Sequence, residues 1–152
     1  MLQLIRTNSE NKDFIRLVHF LDAELAERDG EEHAFYNQFN KISVIKHAIV
    51  AYEYNEPVAC GAIKEFASYT MEVKRMYTLP AHRGKGIAAK ILHELENWAS
   101  KMDITKCVLE TGKNQPEAIA LYNKCGYKLI PNYGQYAGIE NSVCFEKEFP
   151  VA

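Results

Sequence analysis

The segment PAHRGKGIAAKIL, residues 80–92, brings two glycines and two basic side chains together between a strand-like run and an amphipathic helix. Gly84 and Gly86 allow the backbone to come close to a ligand, and the first amides of a helix lack partners within the helix and carry partial positive charge. Arg83 and Lys85 add side-chain charge. The segment therefore predicts a site for a phosphate or another anion, with a flexible, solvated turn as the alternative.

Two phosphate-binding motifs can be compared with this turn. The P-loop pattern G-x-x-x-x-G-K-[ST] is absent. The run from Gly84 to Ala89 satisfies the dinucleotide-binding pattern G-x-G-x-x-G/A, and Glu110 ends the following strand about where a ribose-binding acid belongs. However, residues 80–83 separate the strand from the first glycine, and too few residues follow Ala89 for the other strand–helix units of that fold. A dinucleotide-binding domain is therefore the less favoured alternative.

Composition limits the partners of such a site. The chain has 152 residues and is 47% apolar, which suits one domain with a substantial core. Its formal charge of −2 provides no general attraction for nucleic acid or anionic lipid. No apolar run approaches the roughly 20 residues that cross a bilayer, and Met1 leads directly into a strand-like run rather than a signal sequence. The sequence predicts a soluble, cytoplasmic protein that binds neither nucleic acid nor membrane.

The cysteines and histidines show no metal-binding pattern. The four cysteines are widely spaced without a C-x-x-C, and the five histidines show neither i, i+4 pairing nor cysteines at ligand spacing. We predict no metal and free, mostly buried thiols, with a disulfide or metal site as the alternative. The cysteines are Cys60, Cys107, Cys125 and Cys144.

The elements that position the turn follow from hydrophobic periodicity. Residues 2–6 predict a strand, and Ser9 is the expected cap of a helix with apolar residues at helical spacing. Residues 31–41 predict a short helix or an ordered loop, and Asn55-Glu56-Pro57 predicts a hairpin turn between two β-rich runs. The later elements are a strand at 72–79, a helix at 87–102, a strand at 106–111, a helix at 116–125, and strands at 127–130 and 142–149. The strand–helix–strand crossover over residues 72–111 must be parallel and right-handed.

Arg83-Gly84-Lys85-Gly86-Ile87-Ala88 matches R-x-x-G-x-G/A and resembles the pyrophosphate-binding signature of the GNAT superfamily of acyl-CoA-dependent N-acetyltransferases. EVKRMYTLPAHRGKGIAAKIL resembles that family's fourth strand and third helix, and ETGKNQPEAIALYNKCGYKLI resembles its fifth strand and fourth helix. The resemblance implies a single GNAT domain over residues 1–152 with an α+β fold. Its central sheet would be mixed, mostly antiparallel and twisted, with about seven strands, a splay between strands 4 and 5, and about four helices.

The resemblance also implies acetyl-CoA as cosubstrate. In the family, the turn binds the pyrophosphate and the exposed backbone of the fourth strand pairs with the pantetheine arm, where a β-bulge would direct a donor at the thioester carbonyl. Lys90 and Lys124 are further basic candidates, with a solvated helix face as the alternative for each. The implied coenzyme-binding residues are Met76, Tyr77, Thr78, Arg83, Gly84, Lys85, Gly86, Ile87, Ala88, Asn114 and Tyr122.

Direct attack of an amine on a thioester needs a base for the amine and an acid for the thiolate. The resemblance implies Glu72 as the base, with Glu65 as second choice and a solvated or lysine-paired strand end as the alternative. Tyr122 resembles the family tyrosine that protonates the departing thiolate, with a core tyrosine as the alternative. Asn114 resembles a coenzyme-contacting asparagine, or is a simple turn or cap residue.

The resemblance implies an N-acetyltransferase that moves an acetyl group from acetyl-CoA to a primary amine in a ternary complex. Phe35, Tyr36, Tyr133 and Tyr136 are the candidates for the acceptor pocket, or else they pack the loops. The acceptor is a small-molecule amine or a peptide amine, whose identity the sequence leaves open. A non-catalytic acyl-CoA-binding sensor on the same fold is the functional alternative, and a homodimer through a sheet edge is left undecided.

Overall fold

The computed structural model describes residues 1–29 and 45–149 of the chain. The strands are β1 (Leu2–Thr7), β2 (His47–Glu53), β3 (Glu56–Ala67), β4 (Thr70–Thr78), β5 (Lys106–Gly112), β6 (Lys128–Ile130) and β7 (Ser142–Glu148). The helices in this part of the chain are α1 (Lys12–Asp29), α2 (Ile87–Lys101) and α3 (Pro116–Lys124). Single 3₁₀ turns occupy Pro80–His82 and Gly134–Tyr136. The helix or loop predicted at residues 31–41 lies outside the described residues.

The strands form a seven-stranded sheet in the order β1-β2-β3-β4-β5-β7-β6. The pairs β1–β2, β2–β3, β5–β7 and β6–β7 are antiparallel, whereas β4 and β5 are parallel, as the α2 crossover requires. The parallel register joins Thr70–Glu72 to Lys106–Val108 and ends there, although both strands continue. The predicted α+β fold, with a mixed, mostly antiparallel sheet of seven strands, is confirmed. The described part of the chain contains three helices, against about four predicted.

The chain forms two compact units, residues 1–64 with 74–95 and residues 65–73 with 96–152, as far as each is described. In the first unit, the apolar stripe of α1 packs against β2, β3 and β4 to make a buried core. Its members are Phe14, Leu17, Val18, Leu21, Ile45, Ala48, Val50, Cys60, Ala62 and Tyr77. This is the helical spacing predicted for α1, because i, i+3, i+4 and i+7 positions share one face.

The start of α1 differs from the prediction. The side-chain oxygen of Asn11 accepts the N–H of Phe14 at 2.9 Å, which is the N-cap geometry. Ser9 lies outside the helix, and its N–H donates to the Ile45 carbonyl at 3.2 Å. The prediction that Ser9 caps the helix is therefore wrong. Both residue types cap well, so composition could not decide between positions two apart.

The hairpin between β2 and β3 also turns earlier than predicted. Glu53 pairs with Glu56, and the two residues between them, Tyr54 and Asn55, have φ angles of 53° and 67°. Two consecutive left-handed residues characterise a type I′ turn, whose twist matches that of the flanking strands. Asn55 suits this conformation, whereas a tyrosine at Tyr54 gives no sequence signal for it, which is why the turn was predicted at Asn55-Glu56-Pro57.

Gly61 of β3 is needed for close packing within the first unit. A side-chain carbon placed there would overlap the sulfur of Met76 and a methyl group of Ile91, and would crowd Leu95. Ile91 and Leu95 lie on α2, so the missing side chain lets this helix approach the strand directly. The approach fixes the first half of α2, which begins immediately after the glycine turn.

A buried polar network stabilises the second unit. The Tyr127 hydroxyl donates to Glu96 Oε2 at 2.9 Å, and Lys147 Nζ donates to Glu96 Oε1 at 3.0 Å. Lys147 also donates to the Cys125 carbonyl at 2.9 Å, at the C-terminal end of α3. Burial, together with Glu96, raises the pKa of Tyr127, so its hydroxyl stays a proton donor. The network thus links α2, α3 and β7 through charged hydrogen bonds.

Tyr127→Phe should lower the free energy of unfolding by about 1.5–3 kcal/mol, because it removes a buried hydrogen bond to a charged group and keeps the ring. The midpoint of urea unfolding measures this loss, with an unchanged slope. Tyr54→Phe is the matched control, since Tyr54 is 81% exposed. Equal midpoints for the two variants would contradict a stabilising role for the network.

All four cysteines are free thiols, and Cys60, Cys107 and Cys144 are buried. Burial raises the pKa of Cys107 to about 12 and that of Cys144 to about 11, and it also raises the pKa of Cys60.

Within the described part of the chain, none of the helices combines the length and apolarity that crossing a bilayer requires.

Candidate functional site

The glycine turn is exposed and leads directly into α2. Gly84 and Gly86 both have φ angles of 80°, a left-handed conformation that favours glycine, and, apart from the glycine itself and its two chain neighbours, no residue has a heavy atom within 4 Å of where a Cβ would stand at either position. The first helical bond runs from the Lys90 N–H to the Gly86 carbonyl at 3.2 Å. The amides of Ile87 to Ala89 therefore precede the helical ladder and have no acceptor within it. This geometry fits an anion such as a phosphate.

Arg83 connects the turn to its own unit. Its Nε donates to the Thr78 carbonyl at 2.8 Å, and a terminal nitrogen donates to Glu24 Oε1 of α1 at 2.8 Å. The guanidinium carbon also lies 5.5 Å from the centroid of the Tyr77 ring. Lys85 is held less firmly, since its Nζ is 3.7 Å from Glu53 Oε1 and its side chain is 49% exposed. Arg83 thus orients the turn. The ammonium group of Lys85 is exposed enough to reorient towards a ligand.

The C-terminal half of β4 contains a backbone irregularity. Arg75 has a φ of 60° within the strand, which is the left-handed conformation that bulges use. Its carbonyl accepts the Cys60 thiol at 3.3 Å, and its buried guanidinium donates to Asp22 at 2.9 Å. The irregularity lies one residue before Met76, the first predicted pantetheine contact. Because Tyr77 lies in the core of the first unit, a role in ligand binding for this stretch would fall to the backbone.

Glu72 lies in the second unit and is only 6% exposed. Its Oε2 accepts the Tyr133 hydroxyl at 2.6 Å. Burial raises the pKa of Tyr133, and the carboxylate of Glu72 raises it further, so this tyrosine retains its proton. Glu65, the second choice as base, is exposed on β3.

Tyr122 lies on α3 and is 5% exposed. Its ring is 5.8 Å from that of Tyr127 and 6.1 Å from that of Phe145, centroid to centroid. Burial, and then the charge of Glu110, raise the pKa of Tyr122, which keeps the phenol protonated at neutral pH. The protonated hydroxyl is therefore available as a general acid, and its raised pKa makes it a weaker acid than an ordinary tyrosine.

The remaining predicted residues vary in burial. Asn114 is exposed and precedes Gln115, the N-cap residue of α3, so it occupies the turn rather than the cap. Lys90 and Lys124 are exposed. Tyr136 is buried, with its ring 5.8 Å from that of Tyr133. Phe35 and Tyr36 lie outside the described residues. Among the described residues, no group of three histidine, cysteine or acidic side chains could hold a metal ion.

A family model described as "Acetyltransferase (GNAT) family" matches residues 13–127, which is most of the chain. The chain belongs to the GNAT acetyltransferase family. The IAA acetyltransferase of Azospirillum brasilense is 35% identical over 100 residues, which cover 65% of each protein. The chain thus spans about two thirds of that relative's length.

Two solved structures resemble this GNAT chain over nearly its whole length. A protein of Klebsiella pneumoniae subsp. pneumoniae MGH 78578, provisionally described as an acyl-CoA N-acyltransferase, is 31% identical with a TM-score of 0.82, covering 97% of both chains. A GNAT family acetyltransferase of Elizabethkingia anophelis with acetyl-CoA bound is 16% identical with a TM-score of 0.71, covering 97% of this chain and 98% of that one. The second likeness shows the shared fold.

Sequence reasoning identified the GNAT turn but missed several partners of its residues. Glu24, which holds Arg83, is one of many acidic residues on a helix and gives no local signal. The bond between Tyr133 and Glu72 joins residues far apart in the chain. Glu110 was considered only as a ribose ligand, although its Oε2 accepts the Ser142 hydroxyl at 2.7 Å. Glu110 lies two residues beyond the part of β5 that pairs with β4, a position that the sequence does not mark.

Proposed function

We propose that this GNAT protein is an acetyl-CoA-dependent N-acetyltransferase that transfers the acetyl group directly to a primary amine in a ternary complex. The observation that carries the proposal is the start of α2, where the left-handed Gly84 and Gly86 have open space at their Cβ positions and the first helix amides lack acceptors within the helix. The acetyl-CoA bound to the Elizabethkingia anophelis protein of the same fold supports the choice of coenzyme. Residues 1–152 act as one N-acetyltransferase domain in this proposal.

In this proposal the glycine turn binds the diphosphate of the coenzyme. The amides from Gly84 to Ala88 donate to its oxygens, and Lys85 contributes a mobile positive charge. Arg83 keeps the turn in shape through its bonds to Thr78 and Glu24. Backbone groups of Met76 and Tyr77 pair with the pantetheine arm as an added strand would, and Asn114 supplies a further polar contact.

The chemical step needs a base that removes protons from the amine nitrogen and an acid that protonates the thiolate. The amine is mostly an ammonium ion at neutral pH, since alkyl amines have a pKa of about 10.4. Glu72 takes the proton, directly or through water, and the freed lone pair forms the C–N bond at the thioester carbonyl. Collapse of the tetrahedral intermediate breaks the C–S bond, and Tyr122 gives its proton to the departing thiolate, while the second proton that leaves the nitrogen passes through water and restores the Tyr122 phenol. The products are an N-acetyl amine and coenzyme A.

The acceptor belongs to the class of small-molecule amines or peptide amines. Tyr136 is buried against the Tyr133 ring, so in this proposal it supports the wall of the acceptor pocket rather than contacting the acceptor directly. Phe35 and Tyr36 remain proposed acceptor contacts, and this proposal rests on the resemblance to the family alone.

Two measurements on the same preparation test this function. Acetyl-CoA should raise the melting temperature, because a ligand that binds only the folded state stabilises it. A screen for free-thiol release over a broad set of amines should then give turnover with at least one class. No thermal shift at millimolar coenzyme would refute coenzyme binding. A shift without turnover for any amine would favour a non-catalytic acyl-CoA sensor instead.

A further inference from the structure

We propose that Tyr133 is a positioning residue, whose hydroxyl holds the Glu72 carboxylate in the orientation in which it accepts the proton of the acceptor amine. The inference rests on the proposed function and assigns Tyr133 a different task from the acceptor contact expected from sequence. It depends on three features of the second unit: the short bond between the two side chains, the immobilised tyrosine ring, and the closed loop that carries it.

The bond itself is short and partly shielded from water. The Tyr133 hydroxyl lies 2.6 Å from Glu72 Oε2, in the range of a charge-assisted O–H···O⁻ bond, and Glu72 is 6% exposed. An ionised carboxylate offers about four acceptor positions on two oxygens. The bond from Tyr133 to Oε2 therefore helps to fix the rotation of the carboxylate. Because the Tyr133 hydroxyl already donates its proton to Glu72, it cannot donate the same hydrogen bond to the amine substrate.

The Tyr133 ring is held on two sides. The ring of Phe66 meets it edge to face, with centroids 4.8 Å apart and planes at 69°. The ring of Tyr136 lies 5.8 Å away at 86°, also in edge geometry. Such pairs contribute beyond their buried area and restrict both rings. The hydroxyl is therefore directed before any substrate arrives, as a positioning group must be.

The loop between β6 and β7 is closed by Asn132, next to Tyr133. The Asn132 side-chain amide donates to the Ile139 carbonyl at 2.9 Å and to the Ser142 carbonyl at 3.0 Å. These bonds tie the start of the loop to its end, where β7 begins. The loop that contains Tyr133 is thus held at both ends, which restricts the positions that Tyr133 can take.

Tyr133→Phe separates the two roles, because it keeps the ring and its edge contacts and removes only the hydroxyl. A positioning role predicts that kcat falls about 10- to 100-fold while KM for the amine and for acetyl-CoA changes less than twofold. A role in acceptor recognition predicts a raised KM for the amine with kcat retained. Initial rates of thiol release over both substrate concentrations distinguish these results.

A double-mutant cycle with Glu72→Gln completes the test. If Tyr133 acts through Glu72, Tyr133→Phe has no further effect on kcat once the base has gone, whereas an independent packing role would add its full cost. Asn132→Ala, which opens the loop, should lower kcat in the same direction by a smaller factor. Full activity of Tyr133→Phe, or additivity in the cycle, would overturn the inference and leave the proposed function intact. Absence of acetyl transfer by the wild type would overturn both.

Discussion

Gly86→Glu is expected to abolish the rise in melting temperature that acetyl-CoA gives the wild-type protein. The substitution places a carboxylate and side-chain bulk into the open space at the Cβ position of Gly86, one residue before α2 begins. Both the bulk and the repulsion between like charges oppose a diphosphate there. At a coenzyme concentration of 100 times Kd, the ligand contributes about 2.7 kcal/mol, and a 100-fold weaker Kd reduces this to about 0.4 kcal/mol. Differential scanning fluorimetry with and without acetyl-CoA measures the difference.

Gly138→Glu is the matched control for this variant. Gly138 also has a left-handed φ, 79°, and open space where a side chain would stand, so the change brings the same backbone strain and the same charge elsewhere. Each variant should lose about 1–2 kcal/mol of intrinsic stability. Only Gly86→Glu should also lose the coenzyme response. Equal thermal shifts for both variants would remove the turn from coenzyme binding.

Tyr122→Phe is expected to lower kcat about 100-fold and to leave the thermal shift with acetyl-CoA unchanged. General acid catalysis contributes about 10²- to 10⁴-fold, and a thiolate is a leaving group that needs less assistance than an alkoxide or amide ion. Because burial and Glu110 raise the pKa of Tyr122, the phenol remains protonated across neutral and mildly alkaline pH. If the wild-type rate falls at mildly alkaline pH, the group that loses its proton should therefore not be Tyr122.

Tyr127→Phe serves as the control for the chemical change at Tyr122. The two rings are neighbours, and each variant loses one buried hydroxyl. Tyr127 donates to Glu96, so its variant should lose stability and retain kcat at a temperature where it is folded. Unchanged turnover of Tyr122→Phe would exclude the tyrosine as the acid. An equal loss of kcat in both variants would attribute the effect to packing.

Local chemistry made the turn and most of the elements predictable. Glycine at 84 and 86 is the residue that tolerates a φ of 80°, and the apolar spacing of α1 and α2 follows directly from helical geometry. The parallel pairing of β4 and β5 followed from the intervening helix, because such a connection admits few topologies. These features depend on residues that are near in sequence.

The features that were missed depend on choices that the sequence leaves nearly equal. Asn11 and Ser9 are both good caps, and only the packed helix selects the first. The resemblance implied a bulge in the fourth strand, but the sequence does not place it at the left-handed Arg75, whose guanidinium donates to Asp22. Tyr133, which donates to Glu72 from 61 residues away, lies on a loop closed by two bonds from Asn132 to the Ile139 and Ser142 carbonyls. Tertiary contacts decide such details.

The shielding of the cysteines has a practical consequence for measuring turnover. Alkylating and disulfide reagents attack the thiolate, and burial both hinders access and keeps Cys60, Cys107 and Cys144 protonated. Cys125, which is partly exposed, is the thiol that should react first in the folded protein. An aromatic disulfide dye should consequently give a low, slowly rising background from the enzyme. A rapid reaction of several thiols per enzyme molecule with the dye would show that the preparation has begun to denature.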